Sequence, residues 1–86
     1  MEPYSWSLAR AAGRSFQNLS AAQRTMLLAD LERLASHPFR ASHLRYTDSD
    51  TREIRVWVIE DIVIHYWLDH AIRDVRITLI ELADAL

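Results

Sequence analysis

Between Arg52 and Leu82 lie three runs rich in β-branched and aromatic residues, Arg52 to Ile59, Ile62 to Asp69 and Asp74 to Leu82. The links between them, Glu60-Asp61 and His70 to Arg73, are short enough for hairpins. This spacing predicts a three-stranded antiparallel meander and limits what the rest of the chain can do: one face of that sheet must be covered. Upstream, Tyr4, Trp6 and Leu8 alternate with Ser5 and Ser7, a period of two that reads as a short strand.

From Ala9 the period changes. Leu8, Ala12, Phe16 and Leu19 fall at helical spacing, with Gly13 costing that helix about 1 kcal/mol relative to Ala. Ser20-Ala21-Ala22-Gln23 matches a capping box, so a second helix starts at Ala21. Its apolar side holds Leu27, Leu28, Leu31, Leu34 and Ala35, and Pro38 ends it by disfavouring helical dihedrals at His37. Phe39 to Thr51 shows no clear period, and Thr47-Asp48-Ser49-Asp50 is turn chemistry. The expected fold is α+β: an N-terminal strand, an α-helical hairpin, then the meander, forming a small sheet covered on one face by the helices. With 86 residues, one domain spanning 1–86 is expected.

Register decides which side chains meet the helices, since a slip of one residue moves every side chain to the other face. Setting Ile54, Val56 and Val58 opposite Tyr66, Ile64 and Ile62, with Val75, Ile77 and Leu79 alongside, gives one aliphatic face for the helices. The outer face then carries Arg55, Trp57, Val63, His65, Trp67, Arg76 and Thr78. This arrangement needs a three-residue loop, Ile59-Glu60-Asp61; a two-residue loop would place Arg55 and Trp57 beside Ile64 and Tyr66 instead.

Composition narrows the function. There is no cysteine, so no disulfide or thiolate metal site exists. The four histidines at 37, 43, 65 and 70 have no zinc spacing, a single glycine excludes a Gly-rich phosphate loop, and no cofactor is expected. Met1 to Trp6 lacks the features of a secretory signal, and the longest apolar stretch, Val56 to Leu68, is broken by Glu60, Asp61 and His65, so a cytoplasmic chain without a membrane segment is expected. The net charge of −2 argues against a general polyanion binder. Its distribution is uneven: residues 1–45 carry six Arg against three acidic residues, and residues 46–86 carry four Arg against nine.

The order strand, helix hairpin, meander resembles the RelE/ParE toxin superfamily over nearly the whole chain. The stretches that carry the resemblance are Phe16-Gln17-Asn18-Leu19, Leu31-Glu32-Arg33-Leu34-Ala35-Ser36-His37-Pro38-Phe39, Ile54-Arg55-Val56-Trp57-Val58 and Asp61-Ile62-Val63-Ile64-His65-Tyr66. The resemblance implies the toxin of a type II toxin-antitoxin module, neutralised by a cognate antitoxin. Its implied target is DNA gyrase in the ParE-like branch or ribosome-bound mRNA in the RelE-like branch. Arg55 matches the family's basic residue on the second strand. Val63 stands where an Arg is usual, and the C-terminal Glu81-Leu82-Ala83-Asp84-Ala85-Leu86 supplies no Arg, His, Lys or Tyr. Both departures count against nuclease chemistry and favour the gyrase branch; an inactive toxin-like binding module is a further reading.

Arg55, His65 and Arg76 are the catalytic candidates: on one sheet face an imidazole is able to move a proton while guanidinium groups hold phosphate. The alternative is cross-strand polar pairing on a solvated face. Trp57 and Trp67, expected on that same face, are candidate partner-binding residues, covered by the antitoxin or by a second copy of the chain in a homodimer, or else stacking on nucleobases.

Overall fold

The computed structural model describes residues 4–40 and 42–83. Its elements run β1 (Ser5–Leu8), α1 (Arg10–Gln17), α2 (Ala21–Ser36), β2 (Leu44–Thr47), β3 (Glu53–Ile59), β4 (Ile62–Asp69) and β5 (Asp74–Leu82). The readings that touch Met1 to Pro3 and the end of the chain from Asp84 lie outside the described residues.

Local signals set the helices where the sequence places them. Ser20 Oγ accepts from the Gln23 N–H at 3.1 Å and the Gln23 side chain accepts from the Ser20 N–H at 2.9 Å, a complete capping box. Helix α2 stops at Ser36, with His37 as its C-cap before Pro38. Helix α1 has no side-chain cap at Ala9, and a Cβ at Gly13 would meet nothing within 4 Å, so its stability comes from packing.

The meander is part of a larger, mixed sheet of five strands in the order β1-β5-β4-β3-β2. Two joins separate it from the expected three-stranded sheet. Strand β1 pairs in parallel with β5, Leu8 opposite Ile77, which the intervening helix hairpin makes possible by crossing the sheet. Strand β2, not expected from the sequence, pairs antiparallel with β3 from Leu44 opposite Val56 to Thr47 opposite Glu53. All four of its residues are exposed, so it is held by its backbone ladder rather than by an apolar face.

The expected register of β3 is corrected. Ile59 pairs with Ile62, closing a two-residue loop in which Glu60 takes a positive φ of 54°. Such a conformation costs a non-glycine residue about 1–2 kcal/mol. In return Trp57 packs partly buried against the core, opposite Ile64, while Ile54 and Val56 on the other side are only 2% and 5% exposed. Both faces of β3 therefore bury apolar side chains, and the expected division into one aliphatic face and one face of Arg, His and Trp fails. A register shift between His65 and Tyr66 then pairs Leu79 with His65 and brings Ile80, not Leu79, to the core.

The core lies between the helices and the β1, β5 and β4 side of the sheet: Ala12, Leu19, Leu27, Leu31 and Leu34 meet Ile62, Ile64, Tyr66, Val75, Ile77 and Ile80. Both helices pack chiefly on β1 and β5. One ladder row shows the consequence: Leu8, Ile77 and Tyr66 are followed across the sheet by Arg55 and Arg45. The apolar row ends in two cations where helix cover ends.

Candidate functional site

On the face away from the helices, Tyr46, His65 and Glu81 form a hydrogen-bonded chain, with Tyr46 Oη 2.9 Å from His65 Nδ1 and His65 Nε2 2.8 Å from Glu81 Oε1. Burial, then the negative charges of Asp48 and Glu81, raise the Tyr46 hydroxyl above its ordinary value, so it keeps its proton and donates to Nδ1. Nε2 then carries the imidazole proton and donates to the Glu81 carboxylate. With both ring nitrogens engaged, His65 does not meet a substrate as a base directly; Tyr46 is the exposed end of the chain.

The same face places Trp67 opposite Arg76 and Arg76 opposite Ser7. Arg76 donates to Ser7 Oγ at 3.2 Å and to the Leu8 carbonyl at 3.4 Å, while the nearly buried Asp74 accepts from the hydroxyls of Ser5 and Ser7. Arg52 pairs with Asp48 and Asp50, both at 3.0 Å, and lies over the Trp67 ring at 4.9 Å. The cations of this face are thus occupied by its own carboxylates, carbonyls and hydroxyls.

Arg55 does not join them. Opposite Tyr66 and Arg45, it lies on the helix side, so the three catalytic candidates are split between the two faces, as are Trp57 and Trp67. The reason is the two-residue loop at Glu60. Neither tryptophan is among the exposed large apolar residues; Leu44 (66% exposed), Tyr46 and Val58 provide apolar surface beside the edge strand β2.

Beyond the helix cover, Arg55 stands opposite Tyr66, Arg45 opposite Arg55, and Arg40 lies over Trp57 on the same side of β3. Burial raises the Tyr66 hydroxyl above the ordinary phenol value, and the charges of Arg55, Arg40 and Arg45 pull against that rise. Tyr66 is 0% exposed, yet its hydroxyl has no hydrogen-bond partner among the described residues, and neither have Arg40 Nε and Ser42 Oγ. Arg40 lies over Trp57 at 3.9 Å and His43 stacks on Trp57 at 4.3 Å, its Nδ1 accepting from the Val58 N–H at 2.8 Å. Stacking of a guanidinium on an indole contributes about 0.5–1 kcal/mol when exposed and about 2 kcal/mol when desolvated, and the buried Nε places Arg40 toward the second case. Glu53 is the carboxylate at the rim, 3.1 Å from Arg45 and 3.7 Å from Arg55.

Three solved structures share this arrangement of strands and helices. The RelBE2 toxin-antitoxin complex from Mycobacterium tuberculosis matches with a TM-score of 0.80 at 15% identity, covering 94% of this chain and 99% of its counterpart. The chain has the RelE fold. The archaeal RelE-RelB complex from Pyrococcus horikoshii matches at 0.77 with 11% identity over 99% of this chain and 100% of the other. The intact E. coli RelBE complex matches at 0.75 with 17% identity over 93% and 96%. No family model and no curated protein matches the sequence. No helix among the described residues is long and apolar enough to cross a membrane.

Within this RelE fold, sequence reasoning missed Tyr46, Glu81, Arg40 and Arg45. Tyr46 and Arg45 lie on the strand that has no periodic signal, and Glu81 reaches His65 only through the β5 irregularity. The available hint for the arginines was the excess of positive charge before residue 46.

Proposed function

We propose that this chain is the toxin of a type II toxin-antitoxin module, held inactive by a cognate antitoxin and arresting growth when free. The observation that carries this reading is the fold shared over nearly the whole of both chains with proteins solved as toxin-antitoxin complexes. The antitoxin's contact surface in this proposal includes the exposed edge of β2 with Leu44 and Val58, since an unpaired strand edge beside apolar side chains accepts an added segment. Trp67 extends that surface on the same face.

A ParE-like action on DNA gyrase is favoured over RelE-like mRNA cleavage. A nuclease needs spare cations for the phosphate and a free acid or base beside them. Here Arg52 and Arg76 are engaged and His65 is bonded at both nitrogens, while the arginines with charge to spare, Arg40, Arg45 and Arg55, lie away from His65 on the other side of the sheet, beside a Tyr66 hydroxyl that burial keeps protonated and a Glu53 carboxylate bonded to Arg45. The purified chain is expected to inhibit gyrase supercoiling of relaxed plasmid and to leave mRNA on translating ribosomes intact. Ribosome-dependent cuts without gyrase inhibition would transfer the reading to the nuclease branch. Inertness in both assays would leave a binding module.

A further inference from the structure

We infer that Arg40, Arg45, Arg55 and Tyr66 form a binding site for a single carboxylate, supplied by an acidic side chain of a partner protein. Three observations converge on it. The Tyr66 hydroxyl is buried and has no hydrogen-bond partner among the described residues, nor has Arg40 Nε, and a buried donor without an acceptor is a costly arrangement that native proteins rarely keep without a use. Arg55 stands opposite Tyr66 on the ladder and Arg45 opposite Arg55, the charges of both and of Arg40 act on that hydroxyl, and among the described residues Glu53 is the carboxylate paired with them, leaving two positive charges in excess. The third is the Arg40 side chain, stacked over Trp57 at 3.9 Å with its Nε buried.

The chemistry of these donors selects the ligand. A carboxylate offers about four lone-pair sites and accepts two parallel bonds from a guanidinium, so it can satisfy Arg40 Nε–H and the Tyr66 hydroxyl together while facing Arg55. Ser42, two residues after Arg40 and also unbonded at Oγ, adds a further donor in the same link. A polynucleotide is less suited: its flanking phosphates would run past Glu53 at the rim and then over a chain of net charge −2. A lone carboxylate on a protein segment brings no second charge to those places. As the antitoxin is the partner proposed above, this site would be one of its anchors, and to that extent the identity of the partner rests on the toxin reading. The binding chemistry does not.

The test is an NMR titration of the whole chain, following the Arg40 Nε–H and the Tyr66 ring, with an acetylated, amidated Gly-Glu-Gly peptide, which carries one carboxylate, and with an RNA hexamer at equal ionic strength. The expected result is a saturable downfield shift of Arg40 Nε–H with the peptide. Tyr66→Phe and Arg55→Gln should each weaken binding about tenfold, as loss of one charge-assisted bond implies. Resonances that do not move with the peptide would overturn the inference, and so would tighter binding of the hexamer at the same resonances. Since nothing in this titration depends on growth arrest, a failed site with an active toxin, or a working site in an inert protein, separates this inference from the function proposed above.

Discussion

Replacing Tyr66 with Phe should make the free protein more stable, which is the reverse of the usual result for a core residue. The phenol ring packs among Ile64, Ile77 and the helix leucines, and Phe retains that packing. What is lost is a hydroxyl that is shielded from water and bonded to nothing among the described residues. A buried polar group without a partner costs about 1–3 kcal/mol, and the transfer of a bare ring edge into the same place costs far less. A gain of about 1–2 kcal/mol is therefore expected. In a chain of this length each kcal/mol moves Tm by about 4–8 °C. Urea unfolding gives the free energy directly, and the midpoint should rise with the slope unchanged. The pH dependence has a definite sign too: since the folded hydroxyl titrates above the ordinary phenol value, the native protein loses stability as pH rises past about 10 and through the folded value, and the Phe variant lacks that contribution. A loss of 1 kcal/mol or more in Tyr66→Phe at neutral pH would show that the hydroxyl is bonded and would remove the basis of the carboxylate site.

Three further expectations concern the fold. Trp57→Ala should cost about 2–3 kcal/mol in the isolated protein, because Trp57 packs against the core and under Arg40 and His43, whereas Trp67→Ala on the outer face should cost about 1 kcal/mol; equal losses would contradict the register at Glu60. Gly13→Ala should add about 1 kcal/mol by thermal or urea unfolding, since the new methyl meets open space in α1; a loss would mean that a contact there is missing from the account. Asp48 accepts from the Arg52 and Asp50 backbone N–H groups and from the Arg52 side chain, which holds its carboxyl below the ordinary value. Its contribution is complete above the ordinary carboxylate range of about 4 and lost as pH falls through the lower folded value, so Asp48→Asn should unfold more easily than the native chain at pH 7, by a margin that shrinks as pH falls below about 4.

Elements governed by neighbours in sequence were legible; those governed by distant pairing were not. The Ser20 to Gln23 capping box, the stop before Pro38 and the hairpin links at 60–61 and 70–73 are local chemistry, and each lies where the sequence indicated. Strand β2 carries no apolar alternation because it is an exposed edge, and the parallel join of β1 to β5 depends on residues about 70 apart. The face of β3 turned on one backbone conformation at Glu60, and nothing in a Glu-Asp link marks a positive φ in advance. That single loop separated Arg55 from His65 and Arg76 and moved Trp57 inward. It also created the cradle around Tyr66.

The toxin reading meets its most direct test in colony counts after the chain is induced alone and together with the product of any small reading frame adjacent to its own. The account predicts that counts fall by orders of magnitude with the chain alone and recover when the neighbouring product is present. Undiminished counts with the chain expressed alone, at a confirmed protein level, would contradict it.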